Sequence, residues 1–221
     1  MESGQPTTDR PRAEETVRTR PGRKQDRSRD AAILDAALEV LAETGFAGMT
    51  LAAVAERAKA GKSTFYRRWP SKEHLVLDAV ARMKQDQVDL KHLPDTGALR
   101  TDILALFKPA SVKDGERKLR VMAGLSTMLA THPGLADAAN EVIVGPWSAA
   151  LRLLMCRAAE RHEIPDTAAI DTLAQVIPEM AAYRSLIQRK PFEVAFLTTM
   201  VDHVLLPALS ASPLKKEDRQ K

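Results

Sequence analysis

From residue 30 onward, apolar side chains recur at the three- and four-residue spacing of one helical face. Ile33, Leu34, Ala37, Leu38 and Leu41 form the first stripe, and Gly45 follows as a C-terminal stop. Thr50 is placed to cap a short helix carrying Leu51, Val54 and Ala58. A turn near 59–61 leads to a second short helix over 62–68, which Pro70-Ser71 ends. Ser71 caps a longer helix to about 89, with Leu75, Val80 and Met83 on its apolar side. The run KHLPDTG (91–97) reads as a linker by its Pro and Gly. Beyond it the pattern predicts helices near 98–108, 114–131, 134–144, 147–162, 167–188 and 192–209. Pro109, Pro133-Gly134, Gly145-Pro146, Pro165 and Pro191 separate them, and Pro178 predicts a kink in the penultimate helix. No period-two alternation persists, so the fold class is all-α, with about nine helices in total.

The first 29 residues break this pattern. Pro, Gly, Ser, Thr and Arg dominate and large aliphatics are nearly absent, so 1–29 is expected to be a disordered basic arm. Residues 212–221 are expected to be a frayed polar tail. Between them lie a small helical module, 30–75, linked by the helix to about 89, and a larger one, 90–211.

Composition narrows the classes. Of 221 residues, 44% are hydrophobic and only 4% aromatic, with Ala and Leu carrying the apolar share, which favours helices over a β-sandwich. The single cysteine, Cys156, excludes an internal disulfide framework and a Cys-based zinc site. In the run Leu153–Cys156 it reads as an inert core residue rather than a nucleophile. The polar N-terminal segment predicts no secretory signal, and no segment reads as membrane-spanning. His74, His92, His132, His162 and His203 are scattered without an H-E-x-x-H motif. A Gly-rich phosphate loop and a G-x-S-x-G motif are also missing, so neither enzyme chemistry nor a cofactor is indicated.

The net charge of +4 is too small to announce nucleic-acid binding, but it is a sum of opposed local terms. Residues 10–29 carry eight cations against Glu14, Glu15 and Asp26. Residues 30–43 carry Asp30, Asp35, Glu39 and Glu43 and no cation. Residues 44–72 carry Arg57, Lys59, Lys62, Arg67, Arg68 and Lys72 against Glu56 alone. The second short helix, KSTFYRRW (62–69), separates its faces. Phe65 and Trp69, four apart, are placed to enter a core made by Leu34, Leu38, Leu51 and Val54. Lys62, Ser63, Tyr66 and Arg67 fall on the other side, flanked by Thr64 and Arg68. That face offers donors for phosphates and base edges and holds no carboxylate, unlike a solvated face of mixed sign. One helix followed by two short ones across a tight turn is helix-turn-helix geometry.

Over residues 30–75 the sequence resembles the DNA-binding region of the tetracycline-repressor-like (TetR) family of bacterial transcriptional regulators. The resemblance is carried by AAILDAALEVLAETGFAGMTLAAVAERA (31–58) and KSTFYRRWPSKEHL (62–75). The family's turn usually reads Ala-Gly-hydrophobic-Ser, whereas here it is Ala58-Lys59-Ala60-Gly61. Lys59 stands where a left-handed Gly is common, and Gly61 stands where a Ser caps the recognition helix. The resemblance implies that Thr50 and Lys72 touch phosphates, as do Tyr66 and Arg68, and that Lys62, Ser63, Thr64 and Arg67 face base edges. It also implies a cytoplasmic, nucleoid-associated repressor that binds a pseudo-palindromic double-stranded operator as a homodimer and is released by a small-molecule effector, with no membrane partner. Met122, Leu125, Met128, Trp147, Leu151, Met155, Tyr183 and Arg184 are the candidates for the effector pocket, although the same spacing also fits plain core. Ile177, Met180, Ile187, Phe196, Met200 and Val204 lie on wide apolar stripes that suit either a dimer interface or the monomer core. The basic arm has two readings, a minor-groove contact or a solvated tail. The alternative to a DNA-binding regulator is a helical ligand-binding or interaction protein without specific DNA binding.

Overall fold

A computed structural model describes residues 27–61, 65, 67–108, 111–166 and 168–211, with only the backbone of Arg27 and Ser28. The predicted arm therefore falls outside the described residues except for its last three positions. Those are already helical, so the first helix starts at Arg27 rather than 30. The predicted tail, 212–221, also falls outside.

The described helices are α1 (Arg27–Gly48), α2 (Leu51–Arg57), α3 (Lys72–Gln85), α4 (Leu99–Leu106), α5 (Val112–Thr131), α6 (Ala136–Glu160), α7 (Ile170–Leu186), α8 (Val194–Met200) and α9 (Leu206–Ser210). Helix α1 breaks where the sequence predicts. Gly45 has φ 67° and ψ 175°, a left-handed geometry that a Cβ would resist, and the chain turns there toward α2. Ahead of this break α1 buries Ile33, Ala37, Val40 and Leu41 almost completely, because α3 and α5 pack against it on two sides.

Two expectations are corrected. Gly145-Pro146 does not separate two helices; α6 runs through it for 25 residues with Pro146 inside. Pro146 cannot donate to the Val142 carbonyl and costs about 3 kcal/mol. Ile143 and Val144 on one side of it, and Leu151, Leu154 and Met155 on the other, are all buried. At roughly 1.5–3 kcal/mol for each such side chain, their burial exceeds the cost of the proline. The last predicted helix, 192–209, is not regular either. It opens into a π-turn over Val201–Leu205 directly before Pro207, whose missing N–H already breaks the ladder to His203.

The buried residues form two cores, and these do not divide where the punctuation near residue 90 does. The first gathers α1, α2, Phe65, Trp69 and α3 together with Val121, Met122, Leu125 and Met128 of α5 and Ala139, Ile143 and Val144 of α6. The second gathers Val88, Leu93, α4, the C-terminal half of α6, and α7 to α9. Helix α6 is thus shared. Among the described residues the stretch Pro133–Glu160 is long and apolar enough to cross a membrane, with a mean hydropathy of 1.3 in its most apolar window. Ile143 and Val144 before Pro146, and Leu151, Leu154 and Met155 after it, are core residues of the two clusters.

Candidate nucleic-acid interface

The turn between the two short helices is built as the sequence suggests. Thr50 caps α2, its Oγ1 accepting from Ala53 N at 3.1 Å, while its own hydroxyl proton remains available outward. At the other end Lys59 N donates to the Glu56 carbonyl (3.1 Å) and Ala60 N to the Ala55 carbonyl (2.9 Å). This Schellman pairing requires a left-handed residue, and Lys59 supplies it at φ 50°. A non-glycine residue held there costs about 1–2 kcal/mol. The Gly61 carbonyl accepts from Phe65 N at 3.3 Å and the Phe65 carbonyl from Trp69 N at 3.0 Å, which are helical bonds. Among the described residues, leaving out its chain neighbours, no atom lies within 4 Å of where a Gly61 Cβ would stand.

Phe65 and Trp69 anchor this segment. They are 1% and 3% exposed, their ring centroids are 5.5 Å apart, and they sit in the first core with Leu38 and Val54. Leu34 and Leu51 pack against that cluster from partly buried positions. Trp69 Nε1 donates to Asp78 Oδ2 on α3 at 2.9 Å. Ser71 caps α3 by accepting from His74 N at 3.4 Å.

The cations of the interface fall into two kinds. Arg57 is spent on α1, forming a two-pronged pair with Glu43 at 2.7 Å on each prong and approaching Glu39 at 3.7 Å. The hydrogen bond from Arg57 holds Glu43 below the usual carboxylate range. Lys72 Nζ donates to the Phe46 carbonyl at 2.8 Å and lies 4.1 Å from the Phe46 ring centroid, tying α3 to the end of α1. Arg68 Nη1 is paired with Asp30 Oδ1, and its guanidinium stands 5.8 Å from the Trp69 ring. Arg67 is different: it is exposed and has no hydrogen bond or ion pair among the described residues. Lys62, Ser63, Thr64 and Tyr66 lie outside the described residues.

The other expected site residues are scattered. Met122, Leu125 and Met128 are in the first core, whereas Leu151 and Met155 are in the second, with Trp147 packed against it. Arg184 lies 4.1 Å over the Phe196 ring and donates to the Pro191 carbonyl at 3.2 Å. Tyr183, named with the pocket, is 48% exposed and falls on one helical face with Met180 of α7 and with Ile187, which caps the C-terminus of α7, three and four residues away. Of the residues named for an interface, Met180, Ile187 and Val204 are exposed, Phe196 is half-buried, and Ile177 and Met200 are core. Two open clefts, of about 410 and 440 Å³, lie beside Cys156 and Asp171 and beside Glu163 and Ser210, and none of the named effector residues lines them. Among the described residues no group of three or more His, Cys, Asp or Glu side chains is placed to hold a metal ion.

Asp30 and the Phe46 carbonyl are the parts that sequence reasoning missed. Their partners are 38 and 26 residues away, so no local spacing announces them.

Known proteins supply an independent line of evidence. Residues 33–79 match the family described as "Bacterial regulatory proteins, tetR family", and residues 93–204 match "Tetracyclin repressor-like, C-terminal domain". An uncharacterized HTH-type transcriptional regulator of Mycobacterium tuberculosis (strain H37Rv), Rv1556, is 34% identical over 185 residues, 83% of this chain and 89% of that protein. The DNA-binding transcriptional repressor TetR of Mycobacteroides abscessus is 31% identical over 185 residues, covering 81% and 93%. Among solved structures, the TetR family transcription regulator SCO0332 superposes with a TM-score of 0.60 at 27% identity, over 82% of this chain and 98% of that one.

Proposed function

Because the chain belongs to the TetR family of bacterial transcriptional regulators, and is thus a ligand-responsive DNA-binding protein and not an enzyme, we propose the roles its residues take in that work. Arg67 is the principal reader of base edges. The observation that carries this is its placement: it stands exposed and unengaged on the segment that Phe65 and Trp69 fix in the core. An arginine so held reaches guanine O6 and N7 in the major groove. Thr50, at the exposed N-terminus of α2, donates its hydroxyl to a phosphate. Lys62, Ser63, Thr64 and Tyr66 complete the contact surface, as the family pattern implies. Lys72 serves mainly as a brace between α1 and α3 and adds positive potential.

The protein acts as a homodimer on a pseudo-palindromic operator, in the bacterial cytoplasm at the nucleoid. The exposed apolar row Met180, Tyr183 and Ile187 along α7 and its C-cap, with Val204, supports a subunit interface there. A two-fold pair places its reading segments one helical turn of DNA apart, about 34–36 Å. The effector sits where α6 crosses between the cores, near Trp147 and the buried, unpartnered hydroxyl of Ser148. It is flanked by Met122, Leu125 and Met128 on one side and Leu151 and Met155 on the other. A compound that fits one arrangement of the cores better than another shifts the spacing of the reading segments and releases the operator. Repression lifted by the effector is the sign this predicts.

Genome-wide recovery of bound DNA fragments tests the reading. Fragments from the wild type are expected to share one pseudo-palindromic motif. Arg67→Ala is expected to lose about 1–3 kcal/mol of operator binding with helicity unchanged. Fragments without a common motif, or an unaffected Arg67→Ala variant, would overturn it and favour a helical ligand-binding protein without specific DNA binding.

A further inference from the structure

We infer that Asp30 withholds Arg68 from the DNA backbone and so sets how tightly the protein holds DNA of any sequence; this rests on the DNA-binding reading above. Arg68 lies next to Arg67 and carries the same charge, yet the fold treats the two differently. Arg67 projects outward, while the Arg68 guanidinium is paired with the Asp30 carboxylate in the first turn of α1. Asp30 is the more covered partner, with side-chain exposures of 34% for Arg68 and 15% for Asp30. The surroundings hold the pair in place. Trp69, which the Arg68 guanidinium flanks, is fixed in the core and hydrogen-bonded to Asp78. The N-terminal turn of α1 favours a carboxylate at Asp30 through the helix dipole. A phosphate approaching this corner therefore meets a guanidinium already neutralised and a carboxylate beside it.

The consequence concerns affinity more than specificity. Phosphate contacts add binding to every sequence alike, whereas base contacts add it only at the operator. Removing Arg68 from the phosphate-binding set lowers affinity for operator and random DNA by the same factor and leaves the ratio set by Arg67 unchanged. Asp30 thus tunes overall affinity and its salt dependence without touching DNA. Restoring one phosphate contact steepens the dependence of log K on log salt by about 0.9, which is roughly eightfold in affinity near 0.1 M salt.

The test uses the full chain and a random-sequence duplex of 30 base pairs, titrated across a range of salt concentrations. Asp30→Asn is expected to bind this duplex several-fold more tightly, with a salt slope steeper by about 0.9, and Arg68→Ala in that background is expected to abolish the gain. Arg68→Ala alone is expected to leave the slope nearly unchanged. Circular dichroism of each variant confirms that the fold is retained. An Asp30→Asn slope equal to or shallower than the wild type's would overturn the inference. So would a gain that persists without Arg68. A wild type that binds no duplex at any salt concentration would instead sink the DNA-binding reading itself, so the two failures are distinguishable.

Discussion

Asp102 is completely buried, and its replacement offers a measurable test of how the segment after α3 is held. Its carboxylate accepts from Thr96 N at 2.5 Å, from Thr96 Oγ1 at 2.8 Å and from Arg161 Nη2 at 3.2 Å. Arg161, at the end of α6, also meets Glu163 at 3.1 Å and Asp95 at 3.5 Å, and Glu163 in turn accepts from Leu99 N at the start of α4 with both oxygens. The stretch 94–99 is therefore bound to α6 by charged groups, and Asp102 is the one with no access to water. Asp102→Ala leaves Thr96 N–H without its acceptor, worth about 1.5–3 kcal/mol for a charged partner. It also weakens the hold on Arg161, but only modestly because two carboxylates remain. The expected loss is about 3 kcal/mol, at the lower end of the 3–5 kcal/mol typical when one member of a buried pair is removed. For a chain of this length that is roughly 6–12 °C in Tm. Asp102→Asn keeps an oxygen for Thr96 and is expected to lose about half as much. Thermal melts followed by circular dichroism, at one fixed protein concentration because assembly contributes to stability, supply the numbers. A fall of less than about 2 °C for Asp102→Ala would refute the reasoning and show that the network is ornamental.

Two further substitutions are informative. Lys59→Gly relieves the left-handed strain at φ 50°, less the extra chain entropy of glycine, and is expected to stabilise by about 0.5–1 kcal/mol in urea unfolding. Lys59→Ala, which keeps the Cβ, is expected to give no gain, and an equal gain would show that strain is not the cause. Burial, and secondarily Lys118, pushes the Lys84 ammonium down to about 8 from 10.5, so the folded state sheds its proton before the unfolded state does. Stability is therefore expected to rise with pH between about 8 and 10.5, by at most about 3 kcal/mol, because the unfolded chain binds the extra proton in that window. Lys84→Met is expected to stabilise at pH 7 and to flatten that rise; urea melts at pH 7 and pH 9.5 check both.

What was legible in the sequence was local. Phe65 and Trp69 declared their inward face because two aromatics four apart, among cations, have only one side on which to be buried. The family resemblance marked Lys59 as standing where a left-handed Gly is common, and the fold holds it at φ 50°. Gly145-Pro146 misled because breaker chemistry is also local, and burial on both sides of it outweighs one lost hydrogen bond. KHLPDTG read as a linker since Pro and Gly signal a turn, but nothing in the run shows that Arg157 reaches the Pro94 carbonyl or that Arg161 holds Asp95 from more than sixty residues away. The same limit hid the engagement of Arg68 and Lys72. Composition counts both as free cations, whereas the fold binds one to a carboxylate and the other to a carbonyl. Tyr183 could have been placed: Met180, Tyr183 and Ile187 share a helical face, and that spacing alone sets it with the exposed row.

The arrangement of the cores bears on how a signal can reach the DNA. Helix α5 belongs to the larger sequence module yet packs along α1, and their approach at Gly124 is so close that a Cβ there would stand 2.5 Å from Leu41 Cδ1. At the C-terminal end of α5, His132 sets its ring edge-on to Phe46, 5.8 Å between centroids, and lies 3.5 Å from Glu73. Lys72 covers the same Phe46 ring. The ends of α1 and α5 and the start of α3 therefore meet around Phe46, which belongs to the same core as Phe65 and Trp69. Close-packed helices of this kind shift as units rather than deform. Helix α6 enters the first core through Ile143 and Val144 and the second through Leu151 and Leu154, so a change in how the cores abut is delivered along a single rigid rod. Among the described residues of the reading segment, Phe65 and Trp69 belong to the first core and not to the second. A movement of α5 or α6 relative to α1 therefore acts on the same core that holds Phe65 and Trp69.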